Sequence, residues 1–385
     1  MKRYRAGIIG HTGRGNYGHS LDLAFGGLLN VDVVAVADSD EAGRSRALQR
    51  TGAAEGYARY TELLERERPD VLAVCTRWPD QHEAMIMAAV NAGVKGIFCE
   101  KPLASAPEEA DRILAACDAR NVKLTIAHHN RVRPAPRAAL RLVQEGAIGR
   151  LRVIRAFGKS DRRSGGEDML VLGTHLMDLM RHFAGDARWC SARVTYGSNE
   201  AGTDEGTGVT YAEKEEIGPL LGDDVIASFG FDNGVTGTFE STRAADGGAG
   251  DYYHLELCGT AGMVAFRASP GSPVWHLPAP FVVPGGDVQW VRHDPPAWPE
   301  VPGATPPPAD ANAFFHSNRA LAADLLEAIE EDRPTVSDGR DAAASLEMIS
   351  AVYASHLSGE RVALPLVERT HPLARLEQRA RATVG

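Results

Sequence analysis

Short runs of apolar and β-branched residues recur through the first third of the chain, at Arg5 to Ile9, Val31 to Ala37, Val71 to Cys75, Gly96 to Cys99 and Lys123 to Ala127. Between them, Asp80 to Asn91 and Ala106 to Arg120 place apolar residues at helical spacing. Ser105, with Glu108 three residues on, has the spacing of a capping box before the second of these helices. Strands alternating with helices predict a parallel sheet with crossover helices, a doubly wound nucleotide-binding half.

After His129 the texture changes. Pro134 to Glu145 reads as a helix, Leu151 to Phe157 as a strand and Asp168 to Phe183 as a helix. Strand-like segments follow around Val194 and at Val225 to Phe231, Val235 to Ser241, Tyr252 to Cys258 and Met263 to Phe266. Strands in succession, joined by turns such as Asp232-Asn233-Gly234, predict an antiparallel sheet. Residues 269–310 are rich in Pro and Gly and read as a long loop or insertion, followed by helices at Ala313 to Glu331 and Asp341 to Leu357. The expected division is residues 1–128 for the nucleotide-binding domain and 129–385 for an α+β domain carrying that insertion.

Composition narrows the function classes. A chain of 385 residues has room for two domains, and its formal charge of −10 argues against a nucleic-acid surface, which needs a basic face. No apolar run reaches membrane-spanning length, and the apolar stretch after the basic N-terminus is too short for a signal peptide, so no membrane partner and a cytoplasmic location are expected. Five cysteines without a CxxC pair read as buried thiols, and no ligand cluster at metal-binding spacing is apparent.

The candidate chemistry lies at strand ends. Gly10-His11-Thr12-Gly13-Arg14-Gly15 follows the first strand, and its glycines would let backbone amides approach a pyrophosphate at the N-terminus of a following helix. Thr12 replaces the middle glycine of the GxGxxG pattern; Gly13, Gly15 and Gly18 offer a second register, and a glycine turn without ligand is the plainer alternative. Asp38 ends the second strand, where an acid accepts hydrogen bonds from ribose hydroxyls and repels a 2′-phosphate, favouring NAD over NADP; capping of the next helix by Asp38 or Asp40 is the other use. Thr76, Arg77 and Trp78 end the third strand, with His82 opening a helix, and Glu100-Lys101-Pro102 leaves the fourth strand with an amine on a backbone that Pro102 restricts.

Further along, His128 and His129 end the fifth strand with Asn130 and Arg131 behind them. His175 and Asp178 lie one helical turn apart, suiting a proton-exchanging imidazole and its orienting acid, while a buried structural histidine is the bland alternative. Arg162 and Arg163 read as solvated charges, Arg163 with a lesser claim to substrate contact.

Taken in order, the Gly10 turn, Ala37-Asp38, Thr76 to Glu83, Glu100-Lys101-Pro102-Leu103, Asn130-Arg131, Gly146 to Gly149, Gly173 to Asp178 and Arg361 to Leu366 resemble the Gfo/Idh/MocA oxidoreductase family. The resemblance implies a Rossmann domain followed by an α+β domain whose open, mostly antiparallel sheet forms a homodimer or homotetramer interface. It also implies NAD(P)-dependent hydride transfer at a hydroxyl-bearing carbon of a sugar, inositol or related polyol. In that scheme Lys101 hydrogen-bonds the reacting oxygen and His175 is the general acid or base, while Gly10, His11, Thr12, Gly13, Arg14, Gly15, Asp38, Thr76, Arg77, Trp78, His82, Glu100, Lys101 itself and Asn130 surround the cofactor. Thr174, Asp168, Asp178, His129, Arg131 and Arg163 remain as supporting or substrate-binding candidates.

One departure stands out. The family's Lys-Asp-His arrangement has an aspartate four residues before the histidine, and here that position is Val171. The departure keeps in view an NAD-dependent glycosidase that oxidises its sugar transiently with no net redox change; a non-catalytic sensor on the same fold is a third reading, against which Lys101 and His175 both stand.

Overall fold

A computed structural model describes residues 2–202, 208–212, 217–242, 252–374 and 376. In chain order the first part runs β1 (Tyr4–Ile9), β2 (Val31–Ala37), α1 (Glu41–Thr51), β3 (Glu55–Tyr57), α2 (Tyr60–Glu67), β4 (Val71–Val74), α3 (His82–Asn91), β5 (Gly96–Cys99), α4 (Pro107–Ala119) and β6 (Lys123–Ile126). The six strands pair in parallel in the order β3-β2-β1-β4-β5-β6. β4 and β5 are buried at every position, which is why they read as unbroken apolar runs. β3 is a short edge strand with two exposed residues, and neither it nor α1 and α2 announces itself by an apolar run. Strand order reverses at β1 and β4, so a crevice for ligands opens at their C-terminal ends.

Two local expectations fail. No α-helix follows the Gly10 turn; residues 10–30 are turns with one 3-10 turn at Leu21–Leu23. Gly13, Gly15, Asn16, Gly18 and Ser20 take φ of 86°, 78°, 53°, 56° and 62°, a left-handed run that a right-handed helix excludes. The capping box also shifts: α4 starts at Pro107, and the Ser105 amide donates to Glu109, not Glu108, at 2.9 Å.

The second part begins with α5 (Pro134–Gln144), β7 (Leu151–Phe157) and α6 (Gly165–Asp168). A π-helical turn at Met169–Gly173 leads into α7 (Thr174–Ala184), so the single helix expected from Asp168 to Phe183 is interrupted just before His175. Next come β8 (Ala187–Tyr196), β9 (Asn199–Glu200), β10 (Val209–Tyr211), β11 (Pro219–Leu221), β12 (Asp224–Phe231), β13 (Thr236–Ser241), β14 (His254–Gly259), β15 (Met263–Arg267), β16 (Val274–Leu277) and β17 (Val291–His293). The chain ends with α8 (Ala313–Glu331), α9 (Gly339–Ser358) and β18 (Val362–Ala363). The large sheet has the order β17-β16-β15-β14-β7-β13-β12-β8-β18, with β9 on β8; only β7 and β13 pair in parallel. β16 and β17 lie inside the stretch expected to be loop; β17 is a short edge strand with no buried residue to mark it.

The described residues form two compact units. One joins residues 2–132 to Trp298–Ala343, and the other joins Arg133–Ala212, Gly218–Ala297 and the chain from Ala344. Residues 298–343, placed in the second domain by the sequence division, belong with the first because α8 sets Leu321, Leu325 and Leu326 into one core with Tyr4, Phe25 and Phe98. The fit is close: a Cβ on Gly96 of β5 would stand 2.6 Å from Ile329 Cδ1. All five cysteines are buried and free. Among the described residues no helix is long and apolar enough to cross a membrane, and no group of three metal-ligating side chains comes together.

Candidate functional site

The glycine loop folds back onto the end of β2. Thr12 donates its amide to both oxygens of Asp38 at 3.1 and 3.2 Å and its hydroxyl at 2.7 Å, and the Tyr17 hydroxyl donates to Asp38 Oδ2 at 2.8 Å. Burial, with the Asp38 contact adding to it, pushes the Tyr17 phenol well up. The Tyr17 ring lies against Gly10, where any Cβ would come within 2.2 Å of it. Asp40, not Asp38, caps α1 by accepting from the Gly43 amide at 2.5 Å. A cleft of about 260 Å³ opens here, lined by Gly10, His11, Ala37, Asp38, Ser39 and Arg59 among others.

The same loop is tied to the end of β4. His11 meets Gln81 at 3.1 Å, Arg14 pairs with Asp80, and the Arg14 guanidinium sits 5.0 Å from the Trp78 ring. Gly15, at φ 78°, packs so tightly on Arg77 that a Cβ would stand 2.5 Å from the Arg77 amide. His82 is fully buried: Nε2 contacts the Thr76 carbonyl at 2.7 Å and Nδ1 the Pro102 carbonyl at 3.0 Å, joining the β4 and β5 exits. Burial lowers the His82 imidazole against the pull of those carbonyls.

Glu100 and Lys101 are buried at the exit of β5, and the Lys101–Pro102 peptide is cis. Glu100 Oε2 accepts from the Lys101 amide at 3.0 Å, and Oε1 accepts from the His19 amide and ring Nδ1, each at 3.0 Å. Burial pushes the Glu100 carboxyl up, but His19, Lys101 and His129 outweigh it and hold the group well below the usual carboxylate range.

His129 does not end a strand as expected. It lies with Asn130 and Arg131 in a 3-10 turn beyond β6, and its Nε2 contacts Asn318 Oδ1 of α8 at 2.7 Å. Arg131 pairs with Asp341 at 3.1 Å. His128 and Asn130 are buried beside these groups.

In the second unit Thr174, His175 and Asp178 are all buried near the start of α7. π-helical turns recur at functional sites, and this one places Val171 within it. Arg163 is not a free solvated charge: it forms a two-pronged pair with Asp161 at 2.6 and 3.0 Å, which holds that carboxyl far below its usual range against the upward push of burial. Asp168 is fully buried; its Oδ2 accepts from Ser241 Oγ at 2.7 Å and the Ser160 amide at 3.1 Å, while Oδ1 has no hydrogen-bond partner among the described residues.

Burial pushes the Asp168 carboxyl up, so the folded chain holds its proton to higher pH than the unfolded chain. The stability this gives is full below the ordinary aspartate range and is lost as pH rises through the raised value. Asp168→Asn keeps an acceptor for Ser241 and Ser160 and removes the ionisation. Thermal melts near neutral pH are expected to show the variant as stable as the wild type or more so, with the difference shrinking in acid. A marked loss of stability at neutral pH would mean that the ionised carboxylate supports the fold.

Several participants escaped the sequence reading. Tyr17, His19 and Asn318 carry no motif, Gln81 is covered only as part of the Thr76 to Glu83 stretch, and Asn318 is distant in sequence from His19 and His129, which it bonds. Tyr253, whose hydroxyl donates to the Leu172 carbonyl at 3.0 Å just before Thr174, was read only as a strand residue. The one signal in the sequence is Gly18 of the second glycine register: φ is 56° and a Cβ would lie 2.3 Å from Glu100 Oε1.

The parallel sheet, its switch-point cleft and the acid at the end of β2 define an NAD-binding oxidoreductase domain, and residues 4–128 match the domain described as "Oxidoreductase family, NAD-binding Rossmann fold". Residues 137–265 match the "GFO/IDH/MocA C-terminal domain". The chain belongs to the Gfo/Idh/MocA family, and it is an NAD-dependent oxidoreductase. It is 28% identical over 335 residues to levoglucosan dehydrogenase of Pseudarthrobacter phenanthrenivorans, covering 80% of this chain and 83% of that enzyme. With inositol 2-dehydrogenase of Ralstonia nicotianae it shares 35% identity over 173 residues, 43% of this chain and only 50% of that enzyme. A solved levoglucosan dehydrogenase, in complex with NADH and levoglucosan, superposes with a TM-score of 0.73 at 22% identity, over 94% of this chain and 100% of that one, which is a likeness of fold.

Proposed function

We propose that the protein is an NAD-dependent dehydrogenase acting on a hydroxyl-bearing carbon of a sugar, inositol or related polyol. The carrying observation is Lys101, held at the exit of a buried strand beside the ionised Glu100. NAD, when bound, takes up or returns the hydride. In oxidation the substrate C–H pair leaves as hydride, the hydroxyl proton passes to His175, and the Lys101 ammonium stabilises the alkoxide character that precedes the carbonyl. Asp38 is an acceptor at the end of β2 and would hold the cofactor's adenosine ribose, whose hydroxyls would take the place of the Thr12 or Tyr17 hydroxyl that it now accepts alongside the Asp40 amide. Thr76, Arg77 and Trp78 flank the crevice at β4, where the nicotinamide half belongs. The relatives named for levoglucosan, inositol and D-apiose favour a carbohydrate or polyol substrate.

The test is a panel of aldoses, anhydrosugars and inositols with NAD+, followed by nicotinamide absorbance. Reduced cofactor should appear with at least one of them, and His175→Ala should lose that activity; absence of reduction across the panel, with NADH binding intact, would reject the proposal. Val171 favours one variant, the redox-neutral glycosidase, which would release an aglycone without net NADH.

Oligomerisation through the large sheet is part of the proposal. Residues paired across strands share a face, and the face carrying Ser228, Thr238, Arg155, Glu256 and Ala265 also carries Ile226 and Trp275, which are 52% and 38% exposed. Light scattering after size exclusion should give a dimer or tetramer, and Ile226→Lys should shift it toward monomer.

A further inference from the structure

His19 lies in the glycine loop, four residues beyond Gly15, and no motif covers it. Its ring meets Glu100 Oε1 through Nδ1 at 3.0 Å, and its amide donates to the same oxygen. A carboxylate oxygen only accepts, so Nδ1 carries the proton. The other side of the ring stacks on Phe314 of α8 with centroids 4.7 Å apart, and the His19 carbonyl accepts from Asn318 Nδ2 at 2.9 Å. Asn318 Oδ1 in turn faces His129 Nε2, so two histidines and one amide bracket the Glu100 side of the β5 exit. The approach depends on Gly18, whose Cβ position is taken by the Glu100 carboxylate.

We propose that His19 is a positioning residue for Lys101, acting through Glu100 to couple the cofactor-binding loop to the catalytic amine. This rests on the assignment of Lys101 as the catalytic group. The physical case is one of charge. Glu100 is fully buried, and a buried carboxylate without partners takes up a proton. The titratable groups that face it are His19 from the glycine loop, Lys101 next in the chain, His129 from the turn beyond β6, His82 at the start of α3, whose imidazole burial pushes down, and the Cys75 and Cys99 thiols, which burial pushes far up and keeps neutral. Of these, His19 alone supplies two donors to one oxygen. When its ring donor is lost, Glu100 keeps its charge but loses the contact that anchors Oε1 to the glycine loop; the carboxylate is then free to turn away, and Lys101 loses the close anion that favours its ammonium state. Movement of the glycine loop would have the same effect, so occupancy of the loop is felt at the amine.

The test uses the full-length protein and reads the lysine directly. Reductive methylation of Lys101, followed by peptide mass spectrometry at one mildly alkaline pH, measures the free-base fraction of its amine. His19→Phe keeps the stacking on Phe314 and removes the ring donor; methylation of Lys101 should speed up about fivefold, and the alkaline limb of the kcat profile should move to lower pH. His19→Asn restores an N–H near the Nδ1 position and should return both to within about twofold of wild type. Should His19→Phe fail to fold, Glu100→Gln removes the same charge and should speed methylation similarly. Unchanged Lys101 methylation in the folded His19 or Glu100 variant would overturn the proposal. Full turnover in Lys101→Ala would instead reject the catalytic assignment while leaving the methylation linkage readable.

Discussion

Replacing Lys101 by alanine is expected to lower kcat by about 10²–10³-fold, the usual effect of removing one donor to a developing oxyanion, while NADH affinity stays nearly unchanged. The expectation follows from where the lysine sits. Its backbone is fixed by the buried strand and by Glu100, so truncating the side chain removes the ammonium and leaves the β5 exit in place. Substrate binding should weaken far less than turnover, because the charge on the reacting oxygen develops mainly in the transition state. Steady-state kinetics and nicotinamide fluorescence titration separate the two. A variant that turns over at the wild-type rate would remove Lys101 from the chemistry.

Gly15→Ala is expected to be the most damaging single change in the glycine loop. Its φ of 78° already disfavours a side chain, and the added Cβ would stand 2.5 Å and 2.9 Å from the backbone nitrogens of Arg77 and Trp78. Backbone cannot swing aside as a side-chain tip can. About 1–2 kcal/mol for the left-handed conformation and about 1–3 kcal/mol for overpacking together predict a loss of several degrees in melting temperature and a large loss of NADH affinity. Gly13→Ala is the matched control: its φ is 86°, but nothing lies within 4 Å of the added Cβ. It should show only the conformational part, and equal effects at the two positions would mean that contact with the β4 exit does not shape the loop.

Much of the fold was legible because burial on both faces leaves a plain trace. β1, β2, β4, β5 and β6 stand where apolar runs predicted them, and the antiparallel strands from β12 to β15 follow the alternating segments. What escaped was set by geometry that apolar periodicity does not encode. β3 and β17 are short, largely exposed edge strands, and the helix expected after Gly10 is replaced by left-handed turns. The grouping of α8 with the first unit depends on contacts across more than two hundred residues, as when Asn318 reaches His19.

The candidate site divides the same way. Residues at strand exits, such as Asp38, Thr76 and Lys101, were found because topology places ligands there. Their partners were not, because Tyr17, His19 and Asn318 reach the site through turns or from a distant helix. Arg131 and Arg163, candidates for a supporting or substrate-binding role, each have an acidic partner in Asp341 and Asp161. The π-helical turn before His175 left no mark in the helical spacing of its apolar residues.

The most direct test of hydride transfer from a carbohydrate hydroxyl carbon is isotopic. The protein would be incubated with NAD+ and a substrate from the panel carrying deuterium on its ring carbons, and the nicotinamide and sugar would then be weighed by mass spectrometry. The predicted result is one deuterium at nicotinamide C4 for each sugar oxidised to a carbonyl, with the transfer slowed about 10²–10³-fold in Lys101→Ala. Converted sugar with no net reduced cofactor, or no conversion with cofactor bound, would contradict it.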